Sequence, residues 1–146
     1  MFLFYKYFKC SVYLALALQY GCLLNVISDY DEESLFQMEQ IAENIDRMYI
    51  HMSHVDRSER TFINFKDYYI NVAAGLNRLK SRQESRPFNE LTLKQVDIVI
   101  NSWNSDIERH KNKVELGDFF IKRGRDNYKR LFRAMIRGES SKPSKN

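Results

Sequence analysis

"IKRGRDNYKRLFRAMIRG", residues 121–138, sets seven Lys or Arg residues among eighteen, with apolar residues recurring through it at helical spacing. Phe120, Ile121, Gly124, Tyr128, Leu131, Phe132 and Met135 fall on one stripe of a helix over 119–137, with Gly117 and Asp118 as the break and cap before it. Lys122, Arg125, Lys129, Arg133 and Arg137 fall mostly on the other faces, with Arg123 and Arg130 flanking them. An apolar stripe of this width needs a surface to cover it. The segment therefore reads as one core helix of a larger helical assembly, with a basic outer face that Arg109, Lys111 and Lys113 extend upstream.

Three further segments supply the partners. Leu35, Met38, Ile41, Ile45, Met48 and Met52 step by threes and fours and predict a helix over 32–52, its first turn made acidic by Glu32 and Glu33. Ser58 is placed to cap a second helix that runs to about residue 82 on Phe62, Phe65, Tyr69, Val72, Leu76 and Leu79. Pro87 disfavours helix at Arg86. Thr92 and Gln95 then form a capping-box pattern for a third helix over 93–112, with Val96, Val99, Ile100, Trp103 and Ile107 facing inward. The polar tail from residue 138 to 146, "GESSKPSKN", is expected to be disordered.

Loop length bears on topology. A helix of about twenty residues is about 30 Å long, and a break of five or six residues reaches at most about 20 Å. The first and third connections therefore cannot carry the chain back to the far end of a helix. The predicted fold is an all-α, antiparallel (up-down-up-down) four-helix bundle over residues 29–137. Four-helix cytokines of the growth-hormone type need two long crossovers, which these connections do not supply.

The N-terminus places Lys6 and Lys9 ahead of an apolar run from Ser11 to Ile27, the pattern of a signal peptide over residues 1–28. Val26 and Ser28 suit the −3 and −1 subsites of a signal peptidase, and an uncleaved anchor is the alternative. Cys10 and Cys22, the chain's two cysteines, precede the cut, so the mature domain is expected to be free of disulfides. Its expected location is secreted and extracellular.

Charge is unevenly spread. Residues 29–60 carry nine acids and three bases, and residues 61–146 carry ten acids and eighteen bases. The acidic first helix, with Glu39, Glu43 and Asp46 on one face, is suited to pack beside the basic last helix and neutralise part of it. Catalytic patterns are scarce. His51 and His54 sit three residues apart with Asp56 behind them, but no second ligand cluster accompanies them. The carboxylates of the first helix share one face with no cleft, and there is no Gly-x-Ser-x-Gly elbow, P-loop or dinucleotide fingerprint.

The sequence thus predicts a non-enzymatic binding protein with no cofactor and no metal. Its expected partner is an extracellular protein or an acidic glycan, with a membrane surface as an alternative and no nucleic acid. The candidate binding residues are Lys122, Arg123, Arg125, Lys129, Arg130, Arg133 and Arg137. Small secreted helical proteins of this class include signalling proteins, humoral factors and gamete-recognition proteins such as mollusc sperm lysins. The rival readings are a membrane-perturbing helical protein and a metal-assisted hydrolase built on the histidines.

Overall fold

The computed structural model describes residues 27–113 and 115–144. The expected signal peptide, apart from residues 27 and 28, and both cysteines lie outside the described residues. Four helices follow in order: α1 (Glu32–His54), α2 (Phe62–Glu84), α3 (Glu90–Lys111) and α4 (Asp118–Ser140), with a single 3-10 turn at Arg57–Glu59 between α1 and α2. The described residues contain no strand, and the four helices pack together as a bundle. No described helix is long and apolar enough to cross a membrane.

The helix starts follow some of the local signals in the sequence and not others. Asp31 caps α1, its carboxylate accepting a bond from the Ser34 amide at 2.9 Å, and Glu32 and Glu33 complement the helix dipole. Ser58 does not cap α2: it lies inside the 3-10 turn, and Thr61 takes the position before Phe62. The Thr92–Gln95 capping box is also not used. α3 begins earlier, at Glu90 behind Asn89, and Thr92 is a buried helical residue. Phe88, just before this start, has φ 56°, a left-handed conformation unusual for a large side chain. The strain is accommodated at the tight link between Pro87 and α3, where the Phe88 carbonyl accepts the Ser28 amide at 2.9 Å.

The core follows the predicted stripes. Met38, Ile41, Ile45, Met48 and Met52 of α1, Phe65 to Leu79 of α2 at the predicted steps, Val96, Val99 and Trp103 of α3, and Ile121, Tyr128, Phe132 and Met135 of α4 are all buried. Each large apolar side chain so buried contributes about 1.5–3 kcal/mol before entropy is counted. Around the bundle, α1 packs most extensively on α4, α2 packs on both α1 and α3, and α3 meets α4 least. Close approach of α1 and α4 depends on Gly124, where a Cβ atom would lie 2.5 Å from the Tyr49 hydroxyl.

At one end of the bundle the start of α1 meets the end of α2 and the end of α4. Arg82 grips the Asp31 carboxylate through two bonds of 2.6 and 2.7 Å, and the Asp31 amide donates to Glu139 at 3.0 Å. The start of α3 joins them, because Lys142 Nζ donates to Asn89 and Thr92. This corrects the reading of residues 138–144 as part of a disordered tail, while residues 145 and 146 lie outside the described residues. α4 continues three residues past Arg137, Glu139 and Lys142 are buried, and the Tyr30 amide bonds to the Pro143 carbonyl at 2.8 Å. Composition marked the segment as polar, but the polar groups have buried partners elsewhere in the chain.

At the other end, Arg60 ahead of α2 bonds the Val55 carbonyl and pairs with Asp118 at the start of α4. Its own carbonyl accepts from His110 Nε2, near the end of α3, at 2.9 Å.

Candidate functional site

α4 carries the seven basic residues singled out in the sequence, and the packing separates them into three groups. Arg125 and Lys129 face α1. Arg125 holds the Asp46 carboxylate through bonds of 2.6 and 3.2 Å, and Lys129 Nζ lies 3.2 Å from the same group. The Arg125 guanidinium, first of all, keeps the Asp46 carboxyl below its usual range, with Lys129 adding to it. These two cations are thus partly neutralised by the acidic helix. Glu43, one turn before, pairs within α1 to Arg47, while Glu39 is exposed.

Lys122, Arg133 and Arg137 are exposed, and no side-chain ion pair engages them among the described residues. Arg123 and Arg130, two turns apart, form the third group. They line the cleft between α3 and α4, the least extensive of the four main helix contacts, and also border the shallow outer groove beside Phe119. Both are exposed and likewise without a side-chain ion pair among the described residues.

The α3–α4 cleft has a volume of about 300 Å³. Asp106 forms its floor. One carboxylate oxygen pairs with Arg109, and the other accepts the Tyr128 hydroxyl at 2.8 Å, with the Tyr49 hydroxyl at 3.5 Å. Burial, reinforced by the Asp106 charge, pushes both tyrosines far above the usual phenol range, so both stay protonated as donors. Arg109 is further fixed by lying 6.0 Å from the centre of the Phe120 ring, and Lys113 Nζ lies 5.3 Å from the same ring. Asn127 reaches the cleft from α4, whereas the Ser102 and Ser105 hydroxyls donate to carbonyls one turn back in α3. The remaining donors are three guanidiniums and one amide.

A second groove, between α1 and α4, has a volume of about 510 Å³. Its floor is apolar, from Ile45, Tyr128 and Phe132, and two of its cations are already held by Asp46. Arg133 and Arg137 line it as well, so each groove has two guanidiniums without an ion pair, and the smaller cleft adds the Asn127 amide and the outer face of Arg109.

The histidines do not converge. His54 Nδ1 lies 2.8 Å from the Ile50 carbonyl at the end of α1, and His51 packs edge-on against Phe65 and Tyr68. Among the described residues, no group of three His, Cys, Asp or Glu side chains is placed to hold a metal ion. His110 is buried in an aromatic cluster. Its Nε2 faces a carbonyl, which can only accept, so Nε2 carries the proton and Nδ1 accepts the Tyr69 hydroxyl at 3.0 Å. Burial lowers its pKa and keeps it neutral.

Sequence spacing found the basic residues of α4 but not their division into three groups. It also missed Asp106, Tyr49 and Asn127, because no local pattern marks a residue whose role depends on a distant helix. Comparison of the chain with protein-family models, curated proteins and solved structures gives no match.

Proposed function

We propose that this is a secreted, non-enzymatic helical binding protein that docks an acidic extracellular partner, a protein or a glycan, through the free basic residues of α4. The observation that carries the reading is the set Lys122, Arg123, Arg130, Arg133 and Arg137, exposed and without a side-chain ion pair among the described residues on a helix whose apolar stripe is already buried. The exposed Asp126 sits among these cations, so the face carries five bases to one acid, and an excess of that size attracts and orients an anion. Burial of Ile121, Tyr128, Phe132 and Met135 favours docking over membrane insertion, since insertion would require that stripe to leave the core.

In this reading the mature domain is an up-down-up-down antiparallel bundle that folds without disulfides. The cross-links between helix ends support the topology: Asp31 with Arg82 and Glu139 at one end, Arg60 with Asp118 and His110 at the other. Processing after Ser28 would remove two contacts of the described fold, the bond of the buried Ser28 hydroxyl to Asn89 at 2.8 Å and that of its amide to the Phe88 carbonyl, so this position of the cut rests on the sequence pattern and not on the fold.

The test is charge reversal in two sets. Lys122, Arg123, Arg130 and Arg133 changed to Glu should abolish retention on immobilised heparin, while the thermal melt moves little, because exposed charges contribute less than about 1 kcal/mol each. Arg125 and Lys129 changed to Glu should lower stability more, by placing acids against Asp46. Unchanged retention by the first variant overturns the docking reading. Salt-insensitive leakage from lipid vesicles by the wild-type protein would replace it with the membrane-perturbing one.

A further inference from the structure

We infer that the α3–α4 cleft is a subsite for a single sulfate ester of an acidic glycan, gripped by Arg109, Arg123 and Arg130 with Asn127. This rests on the docking reading above and names its ligand chemistry. Three features of the cleft support it.

First, the charged donors are all guanidiniums. Arg123 and Arg130 present guanidinium forks from the same line of α4, two turns apart, and Arg109 faces them from α3. A planar fork donates two parallel bonds to a tetrahedral oxyanion, which a lysine ammonium cannot do. Second, the one acid in the cleft is already occupied. Asp106 is held by Arg109 and by the Tyr128 hydroxyl, and although the exposed Asp126 borders Arg123 and Arg130 in the adjoining groove, three guanidiniums against these two acids leave a net positive charge for a ligand. Third, the cleft is open and about 300 Å³, room for a sulfate ester together with part of the sugar that carries it.

The cleft does not stand alone. Lys122, Arg133 and Arg137 continue the positive surface along α4, and residues 122 to 137 span about 22 Å at the helical rise. A linear polymer with repeated oxyanions can place one group in the cleft and others along this ridge. An isolated phosphate would use only the cleft. Among acidic glycans, the class that the docking reading names, the polymers that carry tetrahedral oxyanions at close spacing are the sulfated ones.

The experiment titrates a heparin-derived octasaccharide, hyaluronan oligosaccharide of equal length, and inorganic phosphate into the wild-type protein by calorimetry. Three variants follow: Arg123→Lys with Arg130→Lys, Arg123→Ala with Arg130→Ala, and Lys122→Ala with Arg133→Ala. Thermal melts accompany each. The subsite requires the sulfated octasaccharide to bind at least about tenfold more tightly than the carboxylate-only chain. It also requires the charge-preserving Lys variant to lose about tenfold, close to the Ala variant, because the fork and not the charge is removed. The ridge variant should lose less. In amide spectra the Asn127 side chain should shift on binding.

Equal binding by the Arg→Lys variant and the wild type, or equal losses from cleft and ridge variants, overturns the subsite and leaves docking by a diffuse basic face. Phosphate binding as tight as the octasaccharide overturns the glycan assignment in favour of a small free anion. Absence of wild-type binding to every probe overturns the subsite, and the separate test on immobilised heparin then decides the docking reading.

Discussion

Glu139, at one end of the bundle, is closed to solvent and holds two cations, Arg86 at 3.0 Å and Lys142 at 2.5 Å, while His110, near the other end, is equally closed and bonds only to neutral groups. The first end is an ionic network that continues through Arg86 to Gln83 and Ser34, and through Arg82 to Asp31. The second is a chain of rings, with Tyr69 5.1 Å from Trp103 and 5.6 Å from His110, and Trp103 5.4 Å from Tyr128. Both ends bury polar atoms, but by different means. Paired charges repay their desolvation only while every partner is present, whereas a neutral imidazole between a carbonyl and a hydroxyl costs little to bury. The ionic end should therefore be strong but conditional, and the aromatic end tolerant of salt but intolerant of lost volume.

The largest effects should come from removing the centre of each end. Glu139→Ala leaves Arg86 and Lys142 with fewer partners and should destabilise by about 3–5 kcal/mol in urea unfolding followed by Trp103 fluorescence. Trp103→Ala should cost a similar 3–5 kcal/mol, read by circular dichroism, through the cavity it leaves. The two differ in rescue. Replacing Glu139, Arg86 and Lys142 together by Leu, Met and Met should recover much of the first loss, and no charge change should recover the second. A cost below about 1 kcal/mol for Glu139→Ala, the range of the exposed Glu43–Arg47 pair, would break the contrast.

pH should separate the ends by window. The folded state lowers the His110 pKa through burial, so below about 6.5 the unfolded chain takes up a proton that the folded chain resists, and stability falls as pH falls. The hydrogen bonds from Arg82 hold Asp31 well below the usual carboxylate range, and Arg125 does the same for Asp46. Their contribution is complete above the unfolded value of about 3.9 and is lost as pH falls toward the folded values. Urea titrations at stepped pH should show an upper window flattened by His110→Gln and a lower one flattened by Asp31→Asn. A single window removed by either variant would mean that the two ends unfold as one charge system.

The mildest test compares two glycines of α4. Gly124→Ala drives a Cβ against the buried Tyr49 hydroxyl at 2.5 Å, an overpacking cost of about 1–3 kcal/mol, offset by about 1 kcal/mol of helix propensity. Gly138→Ala meets nothing within 4 Å and should stabilise by about 0.5–1 kcal/mol. Melting temperatures of the two variants should move in opposite directions. Movement in the same direction would show that Tyr49 gives way easily and that the α1–α4 contact is soft.

What could be read from the sequence follows from these same residues. Met38, Tyr69, Trp103 and Phe132 were placed in the core by spacing alone, because a step of three or four is a local property of any helix. Ser34, Gln83, His110, Glu139 and Lys142 are just as buried, and spacing gave no reason to place them there. Gln83 reaches Ser34, forty-nine residues away, and the Asp31 amide reaches Glu139 across one hundred and eight. A polar side chain is tolerated inside only when its partner arrives, and one sequence does not show which distant group that is.

The candidate site divides in the same way. The sequence by itself determined four amphipathic helices, the short connections between them, and a last helix dense in Lys and Arg, since periodicity and charge are carried by neighbouring residues. Tertiary structure alone decided that Arg125 and Lys129 are held by Asp46, that Arg123 and Arg130 look into a cleft floored by Asp106, and that residues 138–144 close the ionic end. The physical reason is range. Helix formation is decided within a turn or two of chain, whereas neutralisation, burial of charge and the width of a cleft depend on which helices meet.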